Sequence, residues 1–513
     1  MLMNFIAPGR ESVPPPEFAP EQLRDWLSAL PQHDASAAAG ALIERLVSLN
    51  RADLQARARL RALEMFRDHA DGLVPHLERK LQDAVPPLVG AMRHVAYLME
   101  KLYKELAAGY SRAVLDVPKT WLSLGYRSQL YLPLVRAMEH HARRLALAQQ
   151  LYARSPGAVW AELHRLYQLA REWRMDAERI ESPTVSALDI YRTALLLAFA
   201  QPSKLNRTDF IRVQAFLGTH AELAELTAAK PVGDMTCVFS IDYRRDKPGV
   251  ALAKRKDIGL ENGEVFLITT ALVDRIETQL KRLRTGIAPV SLGLPDEAAT
   301  LSYQELLQKL AINWRGERAA RATRTQFHPR IEVWVGLREI WRALRAEGDS
   351  GRGPEAATGP APARSTEWIV LNESSRGFAL RHMSRTPPPI QVGELVAIKP
   401  RGRSTMFACL VRWIQSNNPE HLEVGVQQLA PIAVPAVYKL SEEDRSAPEP
   451  VLFFPQMPTQ RKAPAIAVSP DQLRGDRPFS LRHRRGRLSL RPGRLIEKTS
   501  SVEIIEVWAA DSA

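Results

Sequence analysis

The sequence predicts a multidomain α+β protein: a long α-helical N-terminal domain with a small β insertion, an antiparallel β-barrel, and a β-rich C-terminal extension. Three observations carry this. The chain has 513 residues, beyond the roughly 250–300 at which a single core stops growing. Apolar residues recur at helical spacing from about Glu21 to about Leu226. Beyond residue 330 they fall instead in short alternating runs separated by turn residues.

Residues 1–20 carry Pro14, Pro15, Pro16 and Pro20 and read as a disordered or extended lead. From Glu21 the pattern turns helical. Leu23, Trp26, Leu27 and Leu30 stand at i, i+3, i+4 and i+7, and Leu42, Ile43, Leu46, Val47 and Leu49 make the next stripe after a cap at Ser36. Breaks are expected at Pro75, at Pro86-Pro87, near Pro118, at Ser155-Pro156-Gly157 and at Pro202. Between them, 91–110 and 128–154 read as long one-faced helices. Short breaks imply antiparallel neighbours, hence a bundle or stacked hairpins. No fixed-period repeat is present.

The helical domain is assigned 21–323, with a β insertion near 233–270. There Thr236–Ile241 and Glu264–Thr269 are β-type runs around a polar loop holding Asp246, Lys247, Pro248 and Gly249. Helices resume at 271–285 and 302–323. The barrel is assigned 324–435, its strands being 331–337, 368–371, 377–383, 394–400, 406–415 and 421–429. Residues 347–365, rich in Gly, Pro, Ala and Ser, form a flexible loop within it. Strand-like runs at 451–454, 465–468, 479–483, 487–490 and 502–508 make 436–513 a second β module or an extension packed on the first.

Composition narrows the function. Hydrophobic residues are 45% and charged residues 25%, and the net charge is +13 from 70 Lys+Arg against 57 Asp+Glu. That surplus suits an anionic partner or reflects an Arg-rich proteome. No run reaches the ~18–20 apolar residues of a membrane span, and the start lacks the basic n-region and long h-region of a signal peptide. Cys237 and Cys409 are too far apart in sequence to suggest a disulfide or metal site and read as buried hydrophobes. A cytoplasmic location is expected.

One motif stands out. Asn372-Glu373-Ser374-Ser375-Arg376-Gly377 fits [D/N]-x-S-x-x-G between two strands. A short amide can bond its own turn backbone, a hydroxyl two residues on shares that face, and glycine permits an approach that other residues resist. With the basic segment before it, the strand Val411-Arg412-Trp413 and the closing run 423–429, this region resembles the PilZ domain family.

The resemblance implies a bacterial receptor for cyclic di-GMP. In that family an Arg-x-x-x-Arg pair on a loop before the first strand folds over the ligand, while the Asn/Asp-Ser-Gly turn holds it from the barrel. Arginine can grip a guanine edge, neutralise phosphate or stack on a base. Here the approach carries Arg315, Arg318, Arg321, Arg324 and Arg330, with no Arg-x-x-x-Arg. One register puts the second arginine at Arg324 and the first on Ala320, beside Arg321; another uses Gln326 and Arg330. The three-residue spacing from Arg315 to Arg324 also suits a solvated helix face. The candidate ligand residues are therefore Arg321, Arg324, Arg330, Asn372, Ser374 and Gly377.

Other chemistry is thin. His140-His141 lack an acidic or cysteine partner at ligand spacing, and Asp242 and Asp246 read as loop solvation. No phosphate loop, nucleophile elbow or zinc-protease motif occurs. A second basic cluster (Arg474, Arg477, Arg482, Arg484, Arg485, Arg487, Arg491, Arg494) reads as an exposed hairpin, because only Phe479 is interleaved for base stacking. The expected function is a non-catalytic, cyclic di-GMP-responsive effector or adaptor without cofactor or metal, meeting protein partners through its helical domain. The alternatives are a degenerate module that binds no nucleotide and a basic nucleic-acid-binding protein.

Overall fold

This computed structural model describes residues 15–31, 33–115, 127–181, 184–254, 264–317, 329–349, 363–374, 377–383, 387–401, 405–418, 421–439, 448–456, 463–473, 475, 477–484 and 486–510. The chain divides into two compact units at Arg318, with 85–87 and 203–208 counted in the second.

The first unit is mainly helical. It runs through α1 (Pro20–Ser28), α2 (Ala35–Arg51), α3 (Ala56–Lys80), α4 (Gly90–Leu115), α5 (Arg127–Gln150), α6 (Val159–Glu172), α7 (Ala187–Phe199) and α8 (Arg207–His220). A two-stranded ladder, β1 (Ile180–Glu181) with β2 (Thr184–Val185), precedes α7. Helix α4 packs against both α2 and α5. The stripe of α2 is legible in its burial, since Leu42, Leu46 and Leu49 are all fully inside.

Two local expectations need correction. The cap of α2 is Asp34, whose carboxylate accepts from the backbone amides of Ser36 and Ala37; Ser36 is already inside the cap box of orphan donors that such a side chain satisfies. Helix α3 continues through Pro75 rather than breaking there. Its buried face, including Phe66, Ala70, Leu73 and Leu77, carries the helix across the proline.

The β insertion is a four-stranded antiparallel sheet of β3 (Glu225–Thr227), β4 (Val238–Ile241), β5 (Val250–Ala251) and β6 (Val265–Ile268), ordered β3-β6-β4-β5. Two helices follow, α9 (Thr270–Arg284) and α10 (Leu301–Arg315). Cys237 and Cys409 are both free and buried.

The second unit holds two closed barrels. The first consists of β7 (Arg330–Val335), β8 (Thr366–Ser374), β9 (Gly377–His382), β10 (Leu395–Pro400), β11 (Phe407–Asn418) and β12 (His421–Ala430). The second consists of β13 (Val434–Lys439), β14 (Glu449–Phe454), β15 (Ala465–Val468), β16 (Phe479–His483), β17 (Gly486–Lys498) and β18 (Glu503–Ala509). With the six strands of each numbered from one, both barrels close in the order 1-2-3-6-5-4, every neighbour antiparallel. The C-terminal segment is thus a complete barrel with the connectivity of the one before it.

A helix absent from the sequence reading, α11 (Leu337–Asp349), joins the two barrels. Leu337, Ile340 and Ala343 enter one apolar cluster with Leu395, Ala408 and Leu410 of the first barrel and Leu452, Ala467 and Ile504 of the second. Burying each such large side chain stabilises the unit by roughly 1.5–3 kcal/mol. The Trp341 indole N–H donates to the Ala436 carbonyl at 2.7 Å, which fixes the helix against β13. Most of the stretch read as a flexible loop, 350–362, lies outside the described residues; its first residues, 347–349, are the end of α11.

Candidate functional site

The Asn-Ser-Gly motif lies where β8 turns into β9. A register shift between Val370 and Asn372 breaks the alternation of β8, and such bulges re-aim side chains. The Ser374 hydroxyl donates to the Gly377 carbonyl at 3.1 Å, so the turn closes on itself. Gly377 is required by contact: a Cβ there would stand 1.9 Å from the Val426 carbonyl oxygen. Strand β9 can lie this close to β12 only with no side chain at that position.

Strand β11 brings the other wall. A second bulge, between Val411 and Trp413, leaves Val411 buried and Arg412 and Trp413 half-buried. Trp413 pairs with Gly425 across the ladder, and its indole covers that glycine; a Cβ on Gly425 would fall 1.7 Å from the indole nitrogen. Asn372, Ser374, Gly377, Arg412, Trp413 and Gln427 thereby line one open cavity of about 250 Å³.

Arg412 is held from two sides. Its Nε donates to Gln427 Oε1 at 2.7 Å, while Nη1 and Nη2 reach the two carboxylate oxygens of Glu497, on β17, at 2.9 Å each. Beside it, the β17–β18 turn grips the segment before β10. Thr499 donates to the Gly393 carbonyl at 2.8 Å and Ser501 to the Glu394 carboxylate at 3.0 Å. Burial raises the Glu394 carboxyl above its ordinary range, against the lowering effect of Ser501 and Gln391.

Chemically the cavity offers a planar indole, a guanidinium, two amides and a hydroxyl. That set suits a flat, polar, anionic ligand: an aromatic face for stacking, fixed donors for an edge, and one positive charge.

Comparison with known families decides the fold family. Residues 345–435 match the model described as "Cyclic-di-GMP receptor FimW, middle PilZ domain". The barrel is a PilZ domain. Residues 21–231 match a second model, "Cyclic-di-GMP receptor FimW, N-terminal domain". The chain is also similar to a Pseudomonas aeruginosa protein named "Cyclic-di-GMP receptor FimW", 25% identical over 497 residues, covering 83% of this chain and 79% of that protein.

Of the ligand candidates, the PilZ barrel brings Asn372, Ser374 and Gly377 together on the cavity. Arg330 is not among its lining residues; it starts β7, exposed, with its guanidinium 3.4 Å from Glu367. Arg321 and Arg324 lie outside the described residues. The sequence reading did not assign Arg412, Trp413 or Gln427 to the site. The first two belong to the strand that carried the family resemblance, yet period-two alternation would turn one of them inward, and only the bulge keeps both out.

Of the other candidates, the two aspartates have structural partners. Asp246 accepts from the backbone amides of Ala158 and Ala161 at 2.8 and 3.1 Å and so caps α6, and Asp242 binds Arg244 and Arg245. His140 and His141 are buried. Among the described residues no group of three or more His, Cys, Asp or Glu could hold a metal ion, and no helix is long and apolar enough to cross a membrane.

Proposed function

We propose that this chain is a cyclic di-GMP-responsive effector, non-catalytic and cytoplasmic, whose PilZ domain binds the dinucleotide at the Asn372–Arg412 cavity. The observation that carries the reading is the meeting of Asn372, Ser374 and Gly377 with Arg412 and Trp413 on one 250 Å³ cavity. Similarity to a protein named as a cyclic di-GMP receptor supports the ligand. In this reading Asn372 and Ser374 hold the ligand from the barrel, Trp413 supplies a stacking face, and Arg412 a positive charge. Arg324, with Arg321 standing in for the first arginine that the motif would place at Ala320, closes over the ligand from the segment before β7, and Arg330 serves instead in the alternative register. Binding then alters how the chain meets protein partners, which the helical domain recognises.

Calorimetric titration of the full chain with cyclic di-GMP, with GMP as control, tests this. Asn372→Ala, Arg324→Ala and Arg412→Ala should each weaken binding by about ten- to a hundredfold, the worth of a charge-assisted contact of ~1.5–3 kcal/mol. Wild type showing no heat at ~100 µM ligand would leave less than about 5.5 kcal/mol of affinity and end the receptor reading. The second reading, a PilZ module that binds no nucleotide and acts as an adaptor, draws on one observation: Arg412 is already engaged by Glu497 and Gln427.

A further inference from the structure

The arginine-rich hairpin of the C-terminal barrel has no part in that cavity. Its sequence sets eight arginines between 474 and 494 against one carboxylate, Asp476, with Phe479 the only aromatic ring among them. The barrel takes that ring out of use. Phe479 is 2% exposed and packs in the core with Leu481, Leu490 and Val507. Strand alternation then turns Ser480 on β16, Arg487, Ser489 and Arg491 on β17, and Trp508 on β18 to the outer face.

The ladder supplies a different ring. Trp508 stands directly opposite Arg491, so two side chains distant in sequence share one patch of surface. The indole lies across the neighbouring strand: a Cβ on Gly493 would fall 2.4 Å from the indole nitrogen. Gly493 thus lets the ring lie down on the backbone of β17, as Gly425 lets Trp413 lie on β12. The two rings differ in access. Trp413 is half-buried at its cavity, whereas Trp508 is 53% exposed and is the only exposed tryptophan among the described residues. Guanidiniums border it. Arg491 is exposed, Arg494 is 77% exposed and pairs with Glu506 at 3.2 Å, and Arg487 donates its Nε to Ser480 Oγ at 2.6 Å, which holds it on the outer face. At ~3.4 Å per residue, Arg487 and Arg491 stand about 14 Å apart along β17, a row that no single phosphate spans.

We propose that this face of the C-terminal barrel binds single-stranded nucleic acid, one base stacking on Trp508 while Arg487, Arg491 and Arg494 meet phosphates on either side of it. An aromatic face takes any unpaired base, and planar N–H forks suit phosphate oxygens. A duplex fits less well, because its bases are already stacked and offer only their edges. An anionic lipid surface also fits less well: a ring laid flat on β17 presents a face to stack on rather than a projecting edge to sink among acyl chains.

The probe is a short fluorescein-labelled oligothymidylate, titrated with the full chain and followed by anisotropy at several salt concentrations. Saturable binding that weakens as salt rises is expected. Trp508→Ala should weaken it at least about fivefold, the loss of one stacked base, while Trp508→Phe keeps most of it. Arg491→Gln should weaken binding and flatten the log–log salt slope by about 0.7, the share of one phosphate contact. Arg412→Ala should leave oligonucleotide binding intact and Trp508→Ala should leave cyclic di-GMP binding intact, which separates this proposal from the first site. Should Trp508→Ala melt below wild type, Arg491→Gln carries the test alone. Absence of binding by wild type overturns the proposal, as does binding that ignores both substitutions. Displacement of the oligonucleotide by equimolar thymidine monophosphate or by a duplex of the same length overturns it too. So does Trp508-dependent sedimentation with phosphatidylserine vesicles in place of oligonucleotide binding.

Discussion

Arg412 and Glu497 meet edge to edge, with both nitrogen–oxygen pairs at 2.9 Å, and so tie the cavity wall of the PilZ barrel to a strand of the barrel behind it. Both side chains are partly shielded from solvent, exposed by 34% and 23%. A forked pair of this kind fixes direction as well as charge. It also sets a negative charge beside a cavity proposed for an anion.

Glu497→Gln should therefore raise affinity for cyclic di-GMP by roughly three- to tenfold, about 1 kcal/mol for a partly exposed pair. The same change should lower the melting temperature by a few degrees at most. Calorimetry and a thermal melt on one preparation measure both. A fall in affinity would mean that Glu497 orients Arg412 for the ligand rather than competing for it.

Gly377→Ala should destabilise the PilZ barrel by about 2 kcal/mol or more, since its Cβ would overlap the Val426 carbonyl and backbone cannot step aside as a flexible side chain can. Gly425→Ala should instead displace the Trp413 indole and alter Trp fluorescence. Denaturant unfolding, followed by circular dichroism and fluorescence, separates the two outcomes.

Much of this site was readable before any fold was known. Asn372, Ser374 and Gly377 were legible as turn residues, but such residues join strands everywhere, and it was the flanking strands 411–413 and 423–429 that set this turn apart. Arg412 and Trp413 were hidden for a physical reason: a bulge shifts the inside–outside phase, and alternation alone cannot show where it slips. Helix α11 was legible and missed. Leu337, Ile340, Trp341 and Leu344 keep helical spacing, but they sit between a strand and a Gly/Pro-rich run, which masked their period. In the C-terminal barrel the strand runs could be seen, whereas closure depends on pairings distant in sequence.

Ile340→Ala is expected to cost about 2–5 kcal/mol, the range for emptying a buried aliphatic site, because Ile340 is wholly buried between the two barrels. Both barrels should then lose their ligand-independent protection against proteolysis together. Loss confined to one of them would show that α11 belongs to that barrel alone.

The helical unit should weaken as pH falls below about 6.5, the unfolded histidine value. Burial, then Arg144 and Arg165, lowers the His141 imidazole to about 3; burial, then Arg143 and Arg136, holds His140 well below its ordinary value. Each stays neutral in the fold while the unfolded chain takes up a proton. Their contribution is thus complete above pH ~6.5 and is lost on acidification, by up to about 1.4 kcal/mol per unit for each. Thermal melts near pH 7.5, 6.5 and 5.5 should show the slope, and His141→Gln should make it shallower.

Closure of both barrels limits the language in which this half of the chain can speak to another protein. Strand β7 bonds to β10 and β13 to β16, so neither sheet keeps a bare row of amides and carbonyls for an incoming strand. A partner cannot lengthen either sheet, and two copies cannot stack edge on edge into a fibre through them. Whatever meets these barrels must read protruding side chains, where a single charge reversal can rewrite the choice of partner without disturbing the scaffold.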